Sequence, residues 1–297
     1  MIVPFDFYYG DPDDVKRGLE KVYHNAQEKI WDGREILDNL FKKYDNIEIH
    51  PEHISSLENI LSIILWGEYV AWNVSSEMSA CFVDYGAKMA AVSQAHDEAR
   101  HFYVMRDYLK KRLGYEPAAI FKPALLVLEE VSSAKNLARK ILGLNLMVEP
   151  IAITIFRFLR KSKVDPILVD LLDLFEKDEA RHIALGVKYL PKLIKEMGPW
   201  QKLTFIWWQM RLITLEIRGL KTIENDLKNL GIDPQEVFEF AENKQVSCLK
   251  LLSREMRISD DMWKPVLKII RFRRRMTFYP DPGHGIVKKI FNSLFHK

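Results

Sequence analysis

Cysteine is nearly absent. The two present, Cys81 and Cys248, stand far apart without any metal-binding or redox spacing, which excludes a disulfide scaffold and a thiolate metal site. Packing roles in a reducing, cytoplasmic setting fit them best. Glycine and proline are sparse, 13 of each in 297 residues, so neither a low-complexity chain nor a turn-rich β architecture is suggested. No stretch reaches ~18 uninterrupted apolar residues, since even Leu61 to Trp72 is broken by Glu68, and no membrane span is expected. Met1 to Gly10 shows no basic segment leading into an apolar run, so a secretory leader is not expected either. With 48% hydrophobic residues, the chain suits one all-α domain over residues 1–263 followed by a distinct tail, 264–297.

What is present is a pentapeptide written twice. Asp97-Glu98-Ala99-Arg100-His101 recurs as Asp178-Glu179-Ala180-Arg181-His182, and each copy follows another glutamate, Glu68 or Glu149, by 30 residues. The offset between copies is 81 residues for all three members (Glu68 to Glu149, Glu98 to Glu179, His101 to His182), as if a half-site had been duplicated. In a helix, residues three apart lie about 300° around the axis, so each Glu-x-x-His pair can aim an oxygen and a nitrogen at one point. The midpoint between Glu68 and Glu98 falls at residue 83, beside Asp84-Tyr85-Gly86, and that between Glu149 and Glu179 at residue 164, beside Asp165-Pro166. Both are turn or helix-start signals, so two helical hairpins would set their ligands at equal heights. Four carboxylates inside a long bundle demand compensation, which two divalent cations would supply.

These residues resemble the di-iron carboxylate branch of the ferritin-like superfamily. Its four-helix core carries one glutamate on each of two helices and Glu-x-x-His on the other two. The likeness spans residues 55–190 and extends to multicomponent monooxygenase hydroxylases, acyl-carrier-protein desaturases, arylamine N-oxygenases and ribonucleotide reductase small subunits. It implies that Glu68, Glu98 and His101 serve mainly one metal and Glu149, Glu179 and His182 the other, with carboxylates bridging. Asp97 and Asp178 resemble aspartates that accept the free N–H of a ligand histidine on the opposite hairpin; ordinary ion pairs with Arg100 and Arg181 are the alternative. The implied cofactor is two iron ions, or manganese with iron, with dioxygen as co-substrate. The implied activity is hydroxylation, desaturation or N-oxygenation of a mainly apolar small molecule or acyl chain. Iron handling or metal holding without an organic substrate is the alternative.

Departures narrow the resemblance. Met105 occupies the position of the reductase subunits' radical tyrosine. Leu146 and Ala152 stand where ferritins and rubrerythrins place an extra glutamate. Phe175 replaces the third histidine of the N-oxygenases, so six ligands are expected. Thr154 lies one residue past the hydroxylases' threonine and is given no catalytic role. The segment Asn25 to Asp32, with Trp31, is similar to an N-terminal helix that packs beside the core in such enzymes.

The apolar periodicity predicts a first helix over about 11–43, core helices over 53–83, 86–113, 124–160 and 166–191, and further helices over 199–230 and 234–256. Pro150, directly after Glu149, is expected to kink or bulge its helix. Around the ligands, Ala71, Gln94, Asn145, Ile153, Thr154 and Gly186 are candidates to surround an oxygen pocket. Phe205, Ile206, Trp207 and Trp208 are candidates for a substrate tunnel or, more simply, for packing.

The tail 264–297 carries nine lysines and arginines against Asp281, a net charge of +8 within a chain of net +3. Ile286, Ile290 and Leu294 beside Lys288 and Lys289 give it a helical apolar stripe. A partner-docking or membrane-surface helix and a terminal helix laid over the bundle fit equally. The basic surface suits an acidic ferredoxin as electron donor, an acyl carrier protein or anionic lipid, which would leave the protein cytoplasmic or peripheral at a membrane. No nucleic-acid motif is present, and a homodimer is a fold-level expectation.

Overall fold

The computed structural model describes residues 14–116, 122–256 and 259–278, and every regular element among them is helical. Helices α1 (Asp14–Glu28) and α2 (Gly33–Lys43) lead into the first long hairpin, α3 (Pro51–Cys81) and α4 (Tyr85–Tyr108). Then follow α5 (Lys122–Ser132), the short α6 (Leu137–Ile141), and the second hairpin, α7 (Glu149–Ser162) and α8 (Pro166–Glu196). The chain continues as α9 (Pro199–Thr222), α10 (Glu224–Asn229), α11 (Pro234–Met256) and α12 (Lys264–Phe278).

Both hairpin turns sit where the ligand spacing puts them. Asp84 caps α4 by accepting the Ala87 N–H at 3.2 Å. Lys163 ends α7 in the left-handed region at φ 55°, and Pro166 opens α8, where its missing N–H costs nothing.

The helix expected over 11–43 is two helices. Lys29 to Asp32 interrupts it, and Asp32 caps α2 by accepting the N–H groups of Arg34 and Glu35 at 2.9 and 3.0 Å. Gly33 permits a close crossing, since a Cβ there would lie 2.4 Å from both Tyr103 Oη and Val104 Cγ2. The helix expected over 124–160 is also divided. Asn136 restarts it by accepting the Arg139 N–H at 2.9 Å, and Leu142–Val148 then widens into a π-helical segment directly before Glu149-Pro150. Proline at 150 cannot donate in the regular pattern, so the irregular turn falls beside it, where the bulge was expected. Pro191 does not end α8, which runs on to Glu196. The helix expected over 199–230 breaks at Ile223 into α9 and α10.

The polar layer divides the apolar core in two. On one side pack Ala71 and Val74 of α3, Ala87 and Ala90 of α4, Leu142 and Leu144, and Leu185 of α8. On the other pack Leu61 and Leu65, Met105 and Tyr108, Phe156 and Leu159, and Leu172 and Phe175. Because the hairpins run antiparallel, α3, α4 and α8 each give one end to each half, while α7 packs in the second half and the segment before it, Leu142–Val148, in the first. The run Leu137–Ser162 is apolar and long enough to cross a membrane by composition, yet 78% of its apolar window is buried within the bundle.

Helix α12 lies against α9. Its Ile270 is buried, Arg273 donates to the Met210 carbonyl at 3.1 Å, and Phe278 packs on Phe238 with centroids 4.0 Å apart. The first part of the basic tail thus covers the bundle, while Ile286, Lys288, Lys289, Ile290 and Leu294 lie outside the described residues. Trp208 is buried against Gly143, whereas Trp207 is 67% exposed.

Candidate metal centre

The four core helices bring Glu68 (α3), Glu98 and His101 (α4), Glu149 (α7), and Glu179 and His182 (α8) into one cluster, each at most 5% exposed. Two overlapping quartets form: Glu68, Glu98, His101 and Glu179, and Glu98, Glu149, Glu179 and His182. Within each, one potential ligand atom per residue lies within 4.8 Å of all the others. Glu98 and Glu179 belong to both, which is the placement a bridging carboxylate requires.

The histidine rings are held from behind. His101 Nε2–H donates to Asp178 at 3.1 Å and His182 Nε2–H faces Asp97 at 3.4 Å, each across to the opposite hairpin. A carboxylate only accepts, so these contacts assign the proton to Nε2 and turn the Nδ1 lone pairs inward. There His101 Nδ1 stands 3.2 Å from Glu179 and 3.4 Å from Glu68, and His182 Nδ1 stands 2.9 Å from Glu179 and 3.0 Å from Glu98. Two lone pairs at such a distance repel unless a proton or a cation lies between them. His101 Nδ1, Glu98 Oε2 and Glu179 Oε1 are moreover buried without a hydrogen-bond partner among the described residues. Donor atoms that face one another and are left unpaired fit a pair of cations.

Protonation balances tell the same story. Burial pushes the Glu68 and Glu149 carboxyls well above the usual range, helped at Glu149 by the charges of Glu179 and Glu98. Against burial, the attraction and hydrogen bonds of His182 and His101 hold Glu98 low. Both histidines are raised despite burial, by Asp178 and the glutamates at His101 and by Glu98 and Glu179 at His182. Without cations, the cluster draws in protons to offset its charge.

The outer ring is neutral by itself. Arg100 donates to Asp97 and Asp178 at 2.6 and 2.8 Å, and Arg181 donates to the same pair at 3.1 and 2.6 Å. Both sequence-level alternatives for the aspartates therefore hold at once: they face the histidines and pair with the arginines. Trp31, just before α2, donates its indole N–H to Asp178 at 2.9 Å and stacks beside His101, and the Arg100 guanidinium lies over its ring at 4.4 Å. Phe175 stacks on His101 with centroids 4.0 Å apart, filling the space a third histidine would take.

Among the expected pocket residues, Gln94 and Asn145 are structural links. Gln94 donates to Glu98 at 3.1 Å and Glu149 at 3.0 Å and accepts from Asn145 at 2.8 Å, while Asn145 also donates to the His182 carbonyl at 2.9 Å. Thr154 spends its hydroxyl on the Pro150 carbonyl at 2.7 Å. Only Ala71 of the six lines the apolar cavity of about 100 Å³ that Glu68 and Glu149 help to wall. The rest of its wall comes from Ile63, Ile64 and Gly67 of α3, from α5, α7 and α9, and from Val148 and Ile223 at the helix junctions, and Trp207 and Trp208 are not part of it. Glu216 of α9 is, which the sequence reading missed; the signal was an acid set among Leu212, Ile213, Leu215 and Ile217.

Together, fold and cluster define a ferritin-like helical protein with a buried carboxylate–histidine centre suited to two metals. No family model and no curated protein sequence matches the chain. Solved structures do. A protein with aldehyde deformylating oxidase activity from Synechococcus aligns with a TM-score of 0.59 at 15% identity, over 70% of this chain and 95% of its own. An R2-like ligand-binding oxidase variant with an Fe/Fe cofactor aligns at 0.66 and 16% identity, over 85% and 95%. Dimanganese(II) NrdF from Streptococcus sanguinis aligns at 0.65 and 12% identity, over 91% and 99%. At such identities the likeness establishes the fold.

Proposed function

We propose that this chain is an oxygen-dependent oxidoreductase that uses two metal ions, iron in both positions or manganese with iron, to hydroxylate, desaturate or N-oxygenate a mainly apolar small molecule or acyl chain. One observation carries the reading: two buried quartets share Glu98 and Glu179, and three of their inward atoms, His101 Nδ1, Glu98 Oε2 and Glu179 Oε1, lack partners among the described residues. Glu68, Glu98, His101 and Glu179 would hold one ion and Glu98, Glu149, Glu179 and His182 the other. Bound there, the pair supplies the two-electron reduction of dioxygen, for which the side chains have no counterpart.

The chain's own residues supply position and shelter. Asp97 and Asp178 fix the ring tautomers, Gln94 ties Glu98 to Glu149, and the two apolar half-cores exclude water. The cavity beside Glu68 and Glu149 gives an organic substrate access to the cluster, and that favours oxidation of a substrate over iron handling alone. Turnover requires electrons from outside, and the basic surface suits an acidic ferredoxin as their donor.

Anaerobic loading with ferrous iron followed by oxygen tests the reading. About two ions per chain should bind, with a fast optical change on mixing. Binding of fewer ions, or oxidation that continues into mineral without electron-dependent product, would count against it. Elemental analysis of freshly purified protein separates iron–iron from manganese–iron.

A further inference from the structure

Glu216 is a carboxyl side chain that the metal centre does not use. It is 5% exposed, sits on α9, and lines the cavity of about 100 Å³ whose other ionisable wall residues, among those described, are Glu68 and Glu149. Its Oε2 accepts from Gln245 Nε2 at 2.9 Å, whereas Oε1 is buried with no partner among the described residues. Among the described residues, no cation relieves it. Arg274, which shares a second, smaller cavity with Glu216, is spent with Arg271 on Glu242, each at 2.8 Å. A buried carboxyl oxygen left unpaired costs stability, and an apolar side chain would fill the position better if packing were its purpose.

We propose that Glu216 is a specificity-determining residue that binds an uncharged hydroxyl or amide group of the substrate while the substrate's apolar body fills the cavity beside the metals. The inference rests on the oxidase reading and names its substrate class. Such a head group both donates and accepts, so it satisfies Oε1 whether the carboxyl is ionised or neutral. A free carboxylate would meet three acidic walls. Burial moves the Glu216 carboxyl up to about 7, so both forms are populated near neutrality. The room is somewhat less than the ~150 Å³ that accepts benzene in an engineered apolar cavity, so the buried body is short.

The test is calorimetric titration of the full chain with 1-pentanol and with pentanoate, alongside a separate assay of metal content. Failure to bind metal would sink the oxidase reading, while the titrations judge Glu216. The wild type should bind 1-pentanol about tenfold tighter than pentanoate, the worth of one good hydrogen bond. Glu216→Leu should weaken the alcohol by about tenfold and raise Tm, whereas Glu216→Gln, which still donates and accepts, should stay within about threefold. Gly67→Leu places a side chain in the cavity from a position whose Cβ meets nothing within 4 Å, and should abolish binding. No binding of 1-pentanol to the wild type, equal affinity for pentanoate, unchanged affinity in Gly67→Leu or Glu216→Leu, or a lower Tm in Glu216→Leu would overturn the assignment.

Discussion

At the scale of single residues, the cluster is an inner set of carboxylates and imidazoles, three of whose atoms are unpaired, inside a closed ring of charge. Asp97, Asp178, Arg100 and Arg181 balance one another, so the aspartates can hold both histidines without adding net charge to the centre. Asp178→Asn keeps the shape but removes the charge that orients His101, Arg100 and Trp31. Metal affinity should fall about 10- to 100-fold, read by competition with a chelator, with helix content by circular dichroism unchanged. Glu98→Ala deletes a member of both quartets and should cost more than Glu68→Ala, which deletes a member of one. Equal losses for the two would contradict a shared role for Glu98. The six cluster residues were legible because a duplicated motif with equal spacing constrains both the helix face and the height. Trp31 lies in the segment that resembles an N-terminal helix packed beside the core, but nothing local says that its indole reaches a residue 147 positions away. Glu216 was visible only as an acid among apolar neighbours, and its lone oxygen is a tertiary fact.

At the scale of elements, the centre depends on how closely the irregular stretch before α7 approaches α8. Gly186 allows this: a Cβ there would lie 2.6 Å from the Asn145 Cβ, and Asn145 anchors both Gln94 and the His182 carbonyl. Gly186→Ala should therefore destabilise by about 1–3 kcal/mol in urea unfolding and weaken metal binding as Asn145 shifts. Gly67→Ala is the matched control. With open space around its Cβ it should stabilise α3 by roughly 0.5–1 kcal/mol. The long helices were legible from apolar period and from starts such as Asp84 and Asp165-Pro166. Their interruptions were less so. Asp32-Gly33 and Asn136 carry cap signals, but an apolar period that continues past them conceals the break. Pro191 misled in the opposite sense, because packing of the buried Leu190 and Pro191 and the half-buried Leu193 and Ile194 outweighed the lost backbone bond.

At the scale of the whole molecule, a polar layer separates two apolar half-cores, so stability depends on what neutralises the layer. Metal should stabilise the fold by about 2.7 kcal/mol when present at 100 times its Kd, seen as a rise in Tm that a chelator reverses. Glu216 adds a term that metal does not carry. Its folded pKa, about 7, lies above the ordinary 4.5, so its contribution is complete below 4.5 and lost as pH rises through 7. Glu216→Leu removes that term, and other titrating groups cancel when wild type and variant are compared at one pH. In the metal-free protein the variant should therefore gain roughly 2–3 kcal/mol on the wild type between pH 5 and pH 8, by urea unfolding at each pH. A gap that stays constant with pH would mean that the carboxyl is solvated rather than buried. A gap that widens as expected shows the wild type bearing a cost at neutral pH for a group that packing alone would discard, and a substrate able to satisfy Oε1 is what would offset it.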